Sequence, residues 1–120
     1  MNRLALIPTL LLFGLNMHAQ TLTPLPNGPA ASFRGLSVVN DDVAWVSGSK
    51  GHVGRTTDGG KTWTWSVVAG HESNDFRAIE AFDGRTALIV SVASPGYILK
   101  TRDAGKTWKA VYTDTTKDVF

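Results

Sequence analysis

Cysteine is absent from all 120 residues, which excludes disulfides, cysteine-based metal sites and a lipoprotein anchor. Glutamate is nearly absent: Glu72 and Glu80 are the only two. Charged residues make up only 18% of the chain, the formal net charge is +2, and the lysines and arginines stand singly. Without a basic stripe, the electrostatic footprint of a nucleic-acid binder is missing. No glycine-rich phosphate loop occurs, since Gly59-Gly60 precedes a strand-like run, whereas such a loop opens a helix with Gly-Lys-Ser/Thr. His52 and His71 have no second ligand at a metal spacing and read as surface or packing residues. No metal and no cofactor is expected. Apolar residues at helical spacing are also wanting; runs such as Val43–Val46 and Ala87–Val92 are β in character.

What the chain does have is a repeat. Thr56-Thr57-Asp58-Gly59-Gly60-Lys61-Thr62-Trp63 recurs 45 positions later as Thr101-Arg102-Asp103-Ala104-Gly105-Lys106-Thr107-Trp108. An Asp followed by Gly two positions on makes a tight turn, because Gly reaches positive φ without a Cβ clash and the short carboxylate accepts backbone N–H groups. Trp63 and Trp108 then read as packing anchors. The flanks repeat too: Phe33-Arg34 matches Phe76-Arg77 at an offset of 43, and a two-residue insertion around Ser91–Pro95 brings the later offset to 45. Each unit reads as four short strands, Arg34–Val39, Val43–Ser47, His52–Thr56 and Thr62–Val68, then Arg77–Phe82, Thr86–Val90, Tyr97–Thr101 and Thr107–Tyr112. Asn40-Asp41-Asp42 and Asp83-Gly84-Arg85 are the turns between the first two strands of each unit. A period near 45 with four strands is that of a propeller blade.

The pattern [ST]-x-D-x-G-x-T-W resembles the Asp-box, or BNR repeat, a hairpin motif on the blades of certain β-propellers. The wording from Phe33 to Trp63 is similar to the photosystem II assembly and stability factor-like propellers. The resemblance covers residues 33–120 and implies an all-β propeller of four-stranded blades, of which about two are written here. The expected layout is a signal peptide at 1–19, a Pro-rich segment at 20–32 that supplies a closing strand, blades at 33–75 and 76–117, and the opening of a third repeat at 118–120. In this reading Thr56, Asp58, Gly60, Thr62, Trp63 and their counterparts Thr101, Asp103, Gly105, Thr107 and Trp108 are structural, since catalysis needs a unique constellation and not one copy per blade.

The apolar stretch Leu4–Leu15, led by Arg3 and ending in Asn16-Met17-His18-Ala19, predicts export, with cleavage after Ala19. The expected location is therefore secreted or periplasmic, with membrane contact only through an uncleaved signal segment. The resemblance implies a binding or assembly module with a protein or glycan partner. The alternative is an Asp-box glycosidase, since sialidases and xyloglucanases also carry the motif, as does the sortilin ectodomain. Phe33-Arg34-Gly35-Leu36 resembles the sialidase F-R-I-P stretch, whose Arg clamps a substrate carboxylate, but Leu36 replaces the Pro, and Phe76-Arg77-Ala78-Ile79 repeats it. A glycosidase also requires two carboxyls flanking the bond, or a Tyr nucleophile beside an acid. No catalytic residue is assigned. Arg34 and Arg77 are the candidate binding residues, expected at the face opposite the Asp-boxes. The repeat phase further predicts an incomplete propeller, because Asp118-Val119-Phe120 restarts the unit.

Overall fold

The computed structural model describes residues 20–22, 24 and 28–117. The expected signal peptide and Asp118-Val119-Phe120 lie outside the described residues. All regular structure among those described is strand: β1 (Phe33–Val38), β2 (Ala44–Gly48), β3 (His52–Thr56), β4 (Thr64–Val67), β5 (Asp75–Ala81), β6 (Ala87–Val92), β7 (Gly96–Thr101) and β8 (Lys109–Asp114). They form two antiparallel four-stranded meanders, β1-β2-β3-β4 and β5-β6-β7-β8, one for each repeat unit. Thr21 and Leu22 belong to no strand, and Thr23 and residues 25–27 of the expected closing segment lie outside the described residues. Just before β1, Ser32 is tied to the β2–β3 loop, where Ser32 N donates to Ser49 Oγ and Ser49 N to the Ser32 carbonyl.

The fourth strands begin later than the sequence suggests, at Thr64 and Lys109, because Thr62 N and Thr107 N are already bonded to the Asp-box carboxylates at 2.8 and 2.9 Å. β6 runs on to Val92 and confines the inserted loop to residues 93–95.

The core lies between the two sheets. Period-two alternation gives each strand two faces, and in β6 Ala87, Ile89 and Ser91 are buried while Leu88, Val90 and Val92 are half-buried. Phe76, Ile79, Ala81, Ala87, Ile89 and Leu99 of the second blade join Trp45, Val53 and Val68 of the first in one apolar cluster. Side chains stitch the seam. Trp45 Nε1 donates to the Asp83 carbonyl at 3.1 Å, Ser47 Oγ–H to the Phe76 carbonyl at 2.9 Å, and Ser37 Oγ accepts from Ala81 N at 2.9 Å. Arg55 Nε donates to the Gly84 carbonyl. These four groups find partners across the seam, as burial demands, while Trp108 Nε1, beside Trp45, is buried without one.

Candidate functional site

Each Asp-box is a closed hydrogen-bond cage. Thr56 Oγ1–H donates to Asp58 Oδ1 at 2.9 Å and accepts from Gly60 N at 2.9 Å, while Thr62 N and Thr62 Oγ1–H donate to the two carboxylate oxygens. Thr101, Asp103, Gly105 and Thr107 repeat the same bonds. Gly60 and Gly105 sit at φ 88° and 82°, the left-handed region that glycine enters freely. A further bond from Gly59 N to the Asp42 carbonyl, and from Ala104 N to that of Arg85, pins each box to the β1–β2 or β5–β6 turn. Both turns therefore share one face, as the hairpin alternation requires. Each box thus closes its own hairpin with its own side chains.

The cage stabilises the charged carboxylate. Thr62, through its hydroxyl and then its amide, pulls the Asp58 pKa down from 3.8 to about 2, and Thr107 does the same for Asp103. A carboxylate with a lowered folded-state pKa contributes stability that is fully present above its unfolded value and is lost as pH falls through the folded value. The stability of the chain is thus expected to fall between about pH 4 and pH 2 through these two residues. Thermal melts against pH, followed by tryptophan fluorescence, test it: Asp58→Asn with Asp103→Asn should flatten that part of the profile, and an unchanged profile would contradict the assignment.

Arg34 and Arg77 stand at the opposite end of the blades, and their local geometry is something the sequence did not signal. Phe33 pairs with Gly48 and Gly35 with Ser47, leaving Arg34 as the extra residue of a β-bulge. Phe76 pairs with Ser91 and Ala78 with Val90, leaving Arg77 in the same role. Bulges re-aim a side chain out of the regular alternation, and both guanidinium-bearing residues are exposed. β1 and β5 lie against each other, so the two bulges occupy equivalent places on neighbouring innermost strands. Arg77 Nε is held by Asp75 Oδ2 at 3.0 Å, the one ion pair among the described residues. Its side chain is still 52% exposed, and such a surface pair is weak. Asp75 Oδ1 is buried without a partner. Ser32 occupies the Asp75 position in the first blade, so Arg34 has no such carboxylate beside it.

His52, His71 and Glu72 find partners close by along the chain. His52 Nδ1 lies 3.0 Å from the Ser49 carbonyl, and His71 Nδ1 lies 3.0 Å from Asn74 Oδ1 while its ring meets Tyr97 edge-on at 4.7 Å. Glu72 accepts from Gly70 N. Among the described residues no group of three or more His, Cys, Asp or Glu is placed to hold a metal. The sequence reading passed over one tyrosine–acid pair: Tyr112 Oη–H donates to Asp114 Oδ2 at 3.1 Å on the outermost strand. The hydrogen bond to Asp114 pushes the phenol pKa up, and the pair lies on the strand of the blade farthest from β5, which carries Arg77.

The family model for photosynthesis system II assembly factor YCF48 matches residues 28–117. A solved structure described as "YCF48 bound to D1 peptide" is 26% identical, with a TM-score of 0.55 over 68% of this chain and 27% of that one. YCF48 from Cyanidioschyzon merolae is 23% identical, with a TM-score of 0.57 over 73% of this chain and 29% of its own. The chain thus spans under a third of the length of these two structures. No curated protein matches it significantly. With an all-β fold of two four-stranded blades, two Asp-boxes and a family match over three quarters of its length, the chain belongs to the photosynthesis system II assembly factor YCF48 family of β-propellers.

Proposed function

We propose that the chain is an exported, non-catalytic binding or assembly module that recognises an acidic protein segment at the end of the blades carrying Arg34 and Arg77. The observation that carries this reading is the repeated bulge: two equivalent, exposed arginines sit at matching irregularities of the neighbouring strands β1 and β5. A guanidinium offers a fork of donors that matches carboxylates. The relative solved with a D1 peptide supports a protein ligand over a glycan. The apolar stretch at Leu4–Leu15 supports export.

Titrating the chain with a fluorescent acidic peptide at two ionic strengths tests the proposal. Exposed charges contribute about 0.5–1 kcal/mol each, so Arg34→Ala with Arg77→Ala is expected to weaken binding about 5- to 30-fold and to flatten its salt dependence. Asp75→Asn, which releases Arg77, should tighten it. Unchanged affinity and salt slope in the double variant would overturn the assignment.

A further inference from the structure

Between the two blades the sheets part toward the outer strands. β1 and β2 lie against β5, where Ser37, Trp45 and Ser47 seal the seam, but β4 turns only the short polar side chains of Thr64 and Ser66 toward the second blade. They do not reach across. A hollow of about 440 Å³ is left between β3 and β4 on one side and residues 104–108 of the second Asp-box on the other. Both walls belong to these two consecutive blades, so the hollow is there whatever packs on their outer flanks.

Its lining divides by chemistry. Trp45, Val53, Val68 and Trp108 form an apolar floor, with the two indoles edge-on at 6.3 Å. Two cations, Arg55 and Lys106, border it, and no Asp or Glu does. Arg55 is half-buried: its Nε donates to the Gly84 carbonyl and its guanidinium carbon lies 5.8 Å from the Trp45 centroid. Its terminal nitrogens have no acceptor, and neither cation has an ion-pair partner, among the described residues. A guanidinium drawn partly out of water without a carboxylate favours an incoming anion. The constellation is also unrepeated. By register Leu88, Lys100 and Lys109 stand in the second blade where Trp45, Arg55 and Thr64 stand in the first. The Asp-boxes recur because every hairpin needs one, whereas a set that occurs once is not a requirement of blade geometry.

We infer that this interblade hollow binds a small carboxylate with a flat apolar body. The body lies in the slot between the sheets, against the indoles and valines, and the carboxylate takes the free side of the Arg55 fork, with Lys106 and the Thr64 and Ser66 hydroxyls around it. An apolar hollow of several hundred Å³ with a few convergent polar groups is the usual build of a small-molecule site. The hollow lies at the Asp-box end, away from Arg34 and Arg77, so this inference and the acidic-segment reading fail independently.

Naphthoate is the probe, titrated into the isotope-labelled full chain and followed by amide NMR shifts. Saturable shifts are expected at Arg55, residues 64–68 and residues 104–107, with an affinity that falls as salt rises. Neutral naphthamide, of the same shape, should bind about tenfold more weakly, because it brings no charge to the guanidinium. Lys106→Glu should weaken naphthoate about fivefold; Lys61→Glu, the same charge change at the equivalent exposed place of the first Asp-box and outside the hollow, should weaken it by less than about twofold. Ser66→Phe, which fills the slot and alters no charge, should abolish binding. Absence of saturation, shifts that map elsewhere, naphthamide matching naphthoate, or Lys106→Glu behaving like Lys61→Glu would each overturn the inference. So would a folded Ser66→Phe chain that binds like the parent. Lys106 is exposed, so its variant keeps the test decisive even where Ser66→Phe does not fold.

Discussion

Trp45→Ala is expected to cost about 3–5 kcal/mol, comparable with the whole net stability of a small domain. The ring is 0% exposed and makes three kinds of contact across or along the seam. Its indole N–H bonds the Asp83 carbonyl, its edge meets Trp108, and the Arg55 guanidinium lies 5.8 Å from its centroid. Truncation opens a cavity between sheets that cannot collapse without breaking the Arg55 and Ser47 bonds alongside. Trp63 provides the internal control. It occupies the Asp-box of the first blade, stacked at 5.5 Å on Trp65 and bordering a hollow lined by the exposed Leu36 and Val38, so Trp63→Ala should cost less than half as much. Urea titrations of both variants decide the matter: equal losses would mean that the Asp-box tryptophans, and not the seam, hold the chain together.

That prediction was out of reach of the sequence, although much else was legible there. The eight strands and the two turn types could be read because Asp-Gly turns and β-branched runs are local signals. Nothing local distinguishes Trp45 from Trp65: both sit in strands, yet one is the keystone between blades and the other lies over Gly54, where a Cβ would come within 2.6 Å of its ring. In the second blade Leu99 and Ala110 stand in the places of Gly54 and Trp65, so bulk has moved from the fourth strand to the third. Only the pairing register shows that these residues share a face. The arginines were legible as a repeated pair, but the bulge that frees them from the alternation is a property of cross-strand register, which one strand's sequence does not contain.

The seam also makes an unequal demand on one repeated position, and this yields the second large effect. Gly35 and Ala78 are equivalent, each the residue after the bulged arginine. A Cβ added at Gly35 would lie 3.1 Å from Ile79 Cγ2 and 3.2 Å from Ile79 N, and would collide with Ser47 Oγ. Ile79 is itself buried in the core, and its backbone cannot retreat without shifting β5. Ser47 cannot turn aside without giving up its bond to the Phe76 carbonyl. Gly35→Ala is therefore expected to cost about 1–3 kcal/mol by overpacking. Ala78 is exposed and faces no second sheet among the described residues, so Ala78→Gly should cost only the backbone entropy of a strand glycine, about 0.5–1 kcal/mol. Thermal or urea unfolding of the two variants separates close sheet packing from intrinsic strand propensity. Under propensity alone Gly35→Ala would stabilise the strand, so a gain at position 35 would show that the sheets are not in tight contact there, while a loss larger than that of Ala78→Gly places the constraint in the seam.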